Sequence, residues 1–106
     1  MSTARIRELN DRCRQAWLRD VFITQGVQGL GSAAVSAVCE KVQKFNDFSP
    51  ANDPHGEHDF GAFDHDGTRI FWKIDYYDLT LECGSEDPSD PTKTRRVLTI
   101  LLADEY

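Results

Sequence analysis

All three histidines of the chain fall within eleven positions, in Asp53-Pro54-His55-Gly56-Glu57-His58-Asp59 and the following Asp64-His65-Asp66. Imidazole and carboxylate are the ligands of zinc, manganese and iron sites. His55, Glu57, His58 and Asp59 are therefore the candidates for a small metal-dependent enzyme. Their spacing works against it. On an extended strand Glu57 and Asp59 share one face and His58 takes the other, so neighbouring positions do not converge on one ion. The helical H-E-x-x-H arrangement is absent as well. A simpler reading fits the same residues: Asn52 and Asp53 are types that hold a turn through side-chain-to-backbone hydrogen bonds. No metal and no cofactor is expected.

The second cluster with chemical content is Trp72-Lys73-Ile74-Asp75-Tyr76-Tyr77-Asp78. Lys73 and Asp75, two residues apart on a strand, lie on one face between Phe71 and Tyr77. Aromatic side chains with polar tips make rigid contact area, which marks this face as a binding surface with Tyr77 as an anchor. The competing reading is an ordinary amphipathic strand whose outer face a loop covers. No nucleophile–base pair or dinucleotide fingerprint occurs. Gly26-x-x-Gly29-x-Gly31 lacks the Lys-Ser/Thr of a phosphate loop and reads as a helix-entry loop.

The elements that position these clusters follow from periodicity. Ile6, Leu9, Cys13, Ala16 and Trp17 form a helical stripe, with Arg5, Arg12, Arg14 and Arg19 predicted on a basic outer face and Ser2 or Thr3 as N-cap. Asp20 to Thr24 is short and β-rich. A second helix is predicted from Ser32 to about Asn46, with Val35, Val38, Cys39, Val42 and Phe45 at helical spacing. The Pro- and Asp-rich stretch 47–56 is loop. Asp66-Gly67 between two aromatic-rich runs, Glu57 to Asp64 and Thr68 to Tyr77, predicts a hairpin. Ile70, Trp72, Ile74 and Tyr76 then face the core, and Gly61 allows a bulge or a close approach. Residues 78–82 extend the hairpin strand or form a short one of their own, and 84–91 form an acidic loop that cannot pack. The run Val97 to Ala103, apolar on both faces, belongs at the centre of the sheet. The fold class is α+β: one domain over 1–106, an antiparallel or mixed sheet of about four strands, and two helices packed on one face.

Charge is distributed unevenly along the chain. Residues 1–45 carry seven Lys/Arg against four Asp/Glu, a net +3, whereas 46–90 carry two against twelve, a net −10. That field repels nucleic acid and membrane surfaces and attracts basic protein patches. No apolar run reaches the ~20 residues of a membrane span, and the polar N-terminus shows no secretory signal. Cys13, Cys39 and Cys83, an odd number without CxxC spacing, read as reduced thiols of a cytoplasmic protein. The opposite charge of the two parts is also compatible with a homodimer.

The runs 52–63 (Asn52-Asp53-Pro54-His55-Gly56-Glu57-His58-Asp59-Phe60-Gly61-Ala62-Phe63) and 70–78 (Ile70-Phe71-Trp72-Lys73-Ile74-Asp75-Tyr76-Tyr77-Asp78) resemble an uncharacterised family of short bacterial proteins, the domain of unknown function thirty-seven sixty-eight. The resemblance extends from the first helix to the closing residues 96–106. It implies no activity, but it does imply a setting: small proteobacterial proteins encoded on plasmids, prophages and other mobile elements. The expectation is a non-enzymatic interaction protein, an anti-CRISPR-type inhibitor whose acidic residues Asp64, Asp66, Glu86, Asp87 and Asp90, with Tyr77, meet the basic surface of a protein that holds nucleic acid.

Overall fold

The computed structural model describes residues 2–17 and 20–106, so the expected outward position of Arg19 lies outside the described residues. Helix α1 spans Thr3–Ala16, with the Ser2 hydroxyl accepting from Arg5 N at its start and Trp17 closing it in the left-handed conformation. Strand β1 (Val21–Ile23) follows, then a single turn α2 (Gln25–Gln28) capped by Thr24, and helix α3 (Ser32–Gln43). Strands β2 (Phe60–His65), β3 (Thr68–Tyr77) and β4 (Arg95–Leu102) complete the sheet, and Ala103–Glu105 make a closing 3-10 turn.

The sheet order is β1-β4-β3-β2, with β1 parallel to β4 and the other pairs antiparallel. It is the expected four-stranded mixed sheet, and β4 is central because both of its faces must be buried. The β2–β3 hairpin turns on Asp66 and Gly67, both with positive φ, which matches the twist of the flanking strands. Ile70, Trp72 and Ile74 of β3 and Leu98 and Ile100 of β4 form the floor of the core, against which Cys13, Val27, Val38 and Val42 of the helices pack. The helices thus share one face. Among the described residues no helix is long and apolar enough to cross a membrane.

Four local expectations need correction. The glycine-rich entry to α3 contains α2, for which one turn leaves too little periodicity to read; Glu105 ties it down, accepting from Thr24 Oγ1 at 2.6 Å and from Gly26 N at 3.3 Å. Helix α3 stops at Gln43 rather than near Asn46. Strand β2 begins at Phe60, not Glu57, because His58 adopts φ 55° and its N–H is held by Asp53 Oδ1. Residues 78–82 form no strand: Asp78 Oδ1 accepts from the N–H groups of Thr80 and Glu82 and curls the chain back, and Tyr77 bridges to Gly84.

Helix α1 is attached through polar groups as much as apolar ones. Its buried residues are Ile6, Asn10, Cys13 and Arg14, while Ala16 is exposed, so the buried stripe is rotated from the one that apolar spacing predicts. Asn10, fully buried, donates to Glu57 O (3.0 Å) and Tyr76 Oη (2.7 Å) and accepts from Arg96 Nε (2.6 Å). Tyr76 in turn donates to Glu57 Oε1 at 2.8 Å. Arg14, expected outside, is buried with its guanidinium over the rings of Phe48 and Trp72. Its Nε and Nη1 have no hydrogen-bond acceptor; the aromatic faces take that place.

Candidate functional site

The face of the sheet opposite the helices carries the outward residues of β3: Phe71, Lys73, Asp75 and Tyr77. A groove of about 380 Å³ runs here, bounded by Pro54, His55 and Asp59 from the loop before β2, by Phe60 and Phe71, and by Tyr106. Phe60, Phe71 and Tyr106 meet edge to face, with centroids 5.1 to 6.3 Å apart. Lys73 Nζ donates to Asp75 Oδ2 at 2.8 Å, and this bond raises the lysine's pKa and keeps it charged. Burial, then the nearby charge of Glu57, holds the Asp59 carboxyl above its usual range. The groove therefore joins parts of both sequence clusters: His55 and Asp59 from the first, Lys73 and Asp75 from the second. The aromatic walls with Asp59 beside them can take a cationic side chain, Asp75 being already engaged by Lys73.

The remaining candidates of the first cluster turn to the other side. His58 stacks on Phe48 at 3.5 Å, places Nδ1 2.8 Å from Asp11 Oδ1 of α1, and has Asp53 Oδ2 at 3.5 Å from Nε2. Glu57 is taken up by Tyr76 and, through its carbonyl, by Asn10. His55 and Asp59 thus line the groove while Glu57 and His58 bond to Tyr76 and to α1, and among the described residues no three His, Cys, Asp or Glu side chains are placed to share a metal ion. Cys13, Cys39 and Cys83 are free thiols, buried, half-buried and exposed respectively.

The raised pKa of Asp59 has a sign that can be checked. An acid that binds its proton more tightly when folded penalises the folded state above its folded pKa, and the penalty vanishes below the unfolded value of about 3.9. Asp59→Asn is expected to raise the melting temperature at pH 7, with the gain shrinking to nothing as the pH approaches 4. Melts of both proteins across that range check it; equal melting temperatures at pH 7 would contradict it.

Of the five residues expected to form an acidic surface around Tyr77, three stand on one loop beside it. Tyr77 ends β3 at the outer face, and the loop 78–94 folds against it, with Ser85 N donating to Tyr76 O at 3.0 Å. Glu86, Asp87 and Asp90 stand on that loop. Asp64 and Asp66 lie at the hairpin end, away from the loop by the length of ten-residue β3, roughly 30 Å at ~3.3 Å per residue. Asp64 is moreover paired with Arg69 at 3.3 Å.

The loop itself is more ordered than an acidic, unpackable segment. Three Asp-x-Ser/Thr triplets recur, at Asp78-Leu79-Thr80, Asp87-Pro88-Ser89 and Asp90-Pro91-Thr92. In each, the carboxylate Oδ1 accepts both the N–H and the hydroxyl of the residue two places on, at 2.5 to 3.1 Å. Asp90 N then bonds to Asp87 O and Lys93 N to Asp90 O, giving two successive turns, each with proline in second position. Asp and Pro together are the sequence signal for this order. The same bonds depress the Asp78, Asp87 and Asp90 carboxyls below the usual range. They stay ionised at physiological pH chiefly through these neutral donors; Lys93 adds to the effect at Asp90 and pairs with Glu86 at 3.4 Å.

The family model described as protein of unknown function (DUF3768) matches residues 23–105, and the chain belongs to that family. The match begins at Ile23, leaving α1 outside it, where the resemblance was expected to include the first helix. No curated protein and no solved structure matches the chain.

Proposed function

We propose that this member of the family is a non-enzymatic, cytoplasmic binding protein whose anionic loop and open sheet face dock on a basic protein surface. One observation carries the reading: loop 78–94 holds five carboxylates (Asp78, Glu82, Glu86, Asp87, Asp90) against one lysine (Lys93), and three of the five accept hydrogen bonds from neutral donors that fix them in place. Fixed, ionised charge in excess of its local counter-charge is what electrostatic recognition requires, because little ordering remains to be done on binding. Tyr77 beside the loop supplies the apolar anchor. The aromatic groove with Asp59 accepts a lysine or arginine of the partner.

The kind of basic surface that fits is one that otherwise carries nucleic acid, as in a nucleic-acid-guided host defence complex, and a chain encoded on a mobile element would gain from occupying it. The test separates charge from fold. Asn keeps the oxygen that accepts in each turn and removes the charge, so the triple variant E86Q/D87N/D90N is expected to retain its circular dichroism spectrum. Its affinity for such an effector complex should fall about tenfold or more at low salt, with a flatter salt dependence. No binding by the parent chain, or equal binding by the variant, would remove the reading.

A further inference from the structure

On a chain of net charge −6, a pocket of about 360 Å³ between α1 and the start of β4 is lined by Arg5, Arg12, Arg95 and Arg96 and by no carboxylate. Two of these guanidinium groups are held in place from behind. Arg95 is clamped by both oxygens of Asp20, at 2.6 and 2.8 Å, and Arg96 by Asn10 Oδ1, Pro88 O and the face of the Tyr76 ring. Among the described residues Nη1 of Arg95 and of Arg96 has no hydrogen-bond partner, and Arg12 has neither a hydrogen bond nor an ion pair. Among the described residues the Arg5 guanidinium pairs with the exposed Glu8, at 3.2 Å. Fixed and adjustable cations thus surround one opening, and Leu9 and Pro91 give it an apolar lining.

We propose that this pocket binds a small organic phosphate, its phosphate among the four guanidinium groups and its carbon part over Leu9 and Pro91. Planar N–H forks match phosphate oxygens in pairs, which favours arginine over lysine at such sites. The same geometry argues against a nucleic-acid strand. A strand leaving the pocket on the Pro91 side would run along loop 78–94, where five carboxylates face one lysine, and like charge would oppose it. No aromatic ring lines the pocket to stack a base.

The site is tested by calorimetric titration at low salt with three probes: inorganic phosphate, phenyl phosphate and a short single-stranded oligonucleotide. Phenyl phosphate is expected to bind saturably and more tightly than inorganic phosphate, because its ring buries against the apolar lining. The variant R5Q/R12Q removes two exposed charges and leaves the Asp20 and Asn10 bonds intact, so its melting curve should match the parent's. Its affinity for phenyl phosphate should drop about tenfold or more, while Lys44→Gln, on α3's C-terminal cap far from the pocket, leaves it unchanged. Absence of saturable binding by either small phosphate, equal binding by R5Q/R12Q, or tighter binding of the oligonucleotide would each overturn the assignment.

Discussion

Asn10→Ala is expected to lower the stability by on the order of 3 kcal/mol, a large part of what holds a domain of this size together. The side chain is wholly buried and touches three partners that come from distant parts of the chain: Glu57 O, Tyr76 Oη and Arg96 Nε. Truncation leaves the Arg96 N–H, part of a charged group already desolvated, without its acceptor. Tyr76 loses the donor that holds its oxygen, though it keeps its own bond to Glu57. Burial pushes the Tyr76 phenol far above its ordinary range, so it stays protonated and keeps donating. Tyr76→Phe cuts the same network elsewhere. The two changes should be non-additive by about 0.5–3 kcal/mol in a double-mutant cycle read from urea unfolding. Strict additivity, or a loss under 1 kcal/mol for Asn10→Ala, would show that α1 is held by its apolar contacts alone.

Gly61→Ala should cost about 1–3 kcal/mol although it adds a single methyl group. Gly61 lies directly across from Trp72 in the β2–β3 register, and the indole crosses over it. A Cβ there would stand 2.3 Å from Trp72 Nε1 and 2.8 Å from Phe45 Cε1. Neither ring can withdraw: Trp72 is fully buried, and Phe45 meets it edge-on at 5.4 Å. Trp72→Phe destabilises on its own by opening a cavity, but it should partly rescue Gly61→Ala, because the smaller ring vacates the space that the methyl needs. Urea midpoints of the two single variants and the double one measure this. A double variant that loses the full sum of the single effects would mean that the indole does not set the requirement for glycine.

The position of Gly61 shows where the sequence was legible. A glycine inside an aromatic-rich strand pattern announces a close approach, and the Asp66-Gly67 turn and the two-sided apolar run of β4 announce their roles by local composition. Arg14 is the opposite case. Counted off the apolar stripe, it reads as solvent-facing, yet its guanidinium sits in the corner that the nearly perpendicular rings of Phe48 and Trp72 make. Those rings come from a loop and a strand more than thirty residues away in sequence, and no pattern within α1 reports them. The acidic loop falls between: its composition is plain, but the role of its Asp-x-Ser/Thr repeat emerges only with the hydrogen bonds that fix it. Of the acidic residues expected to act together, Glu86, Asp87 and Asp90 were grouped by short sequence distance, whereas the separation of Asp64 and Asp66 depends on the full length of β3.

The central place of β4 also dictates an order of events during synthesis. Val21 pairs with Leu98, and the helices' buried Val27, Val38 and Val42 pack on Leu98 and Ile100. Everything before residue 95 can emerge from a ribosome and still lack the strand on which α1, α2 and β1 rest. The β2–β3 hairpin can close on its own within ~1–10 μs, but at ~5–20 residues per second of translation the rest waits on the order of a second for β4 to arrive. Folding is therefore an insertion, with the final strand entering between two partners that precede it, and the long loops it must close make it slow for a chain of this length.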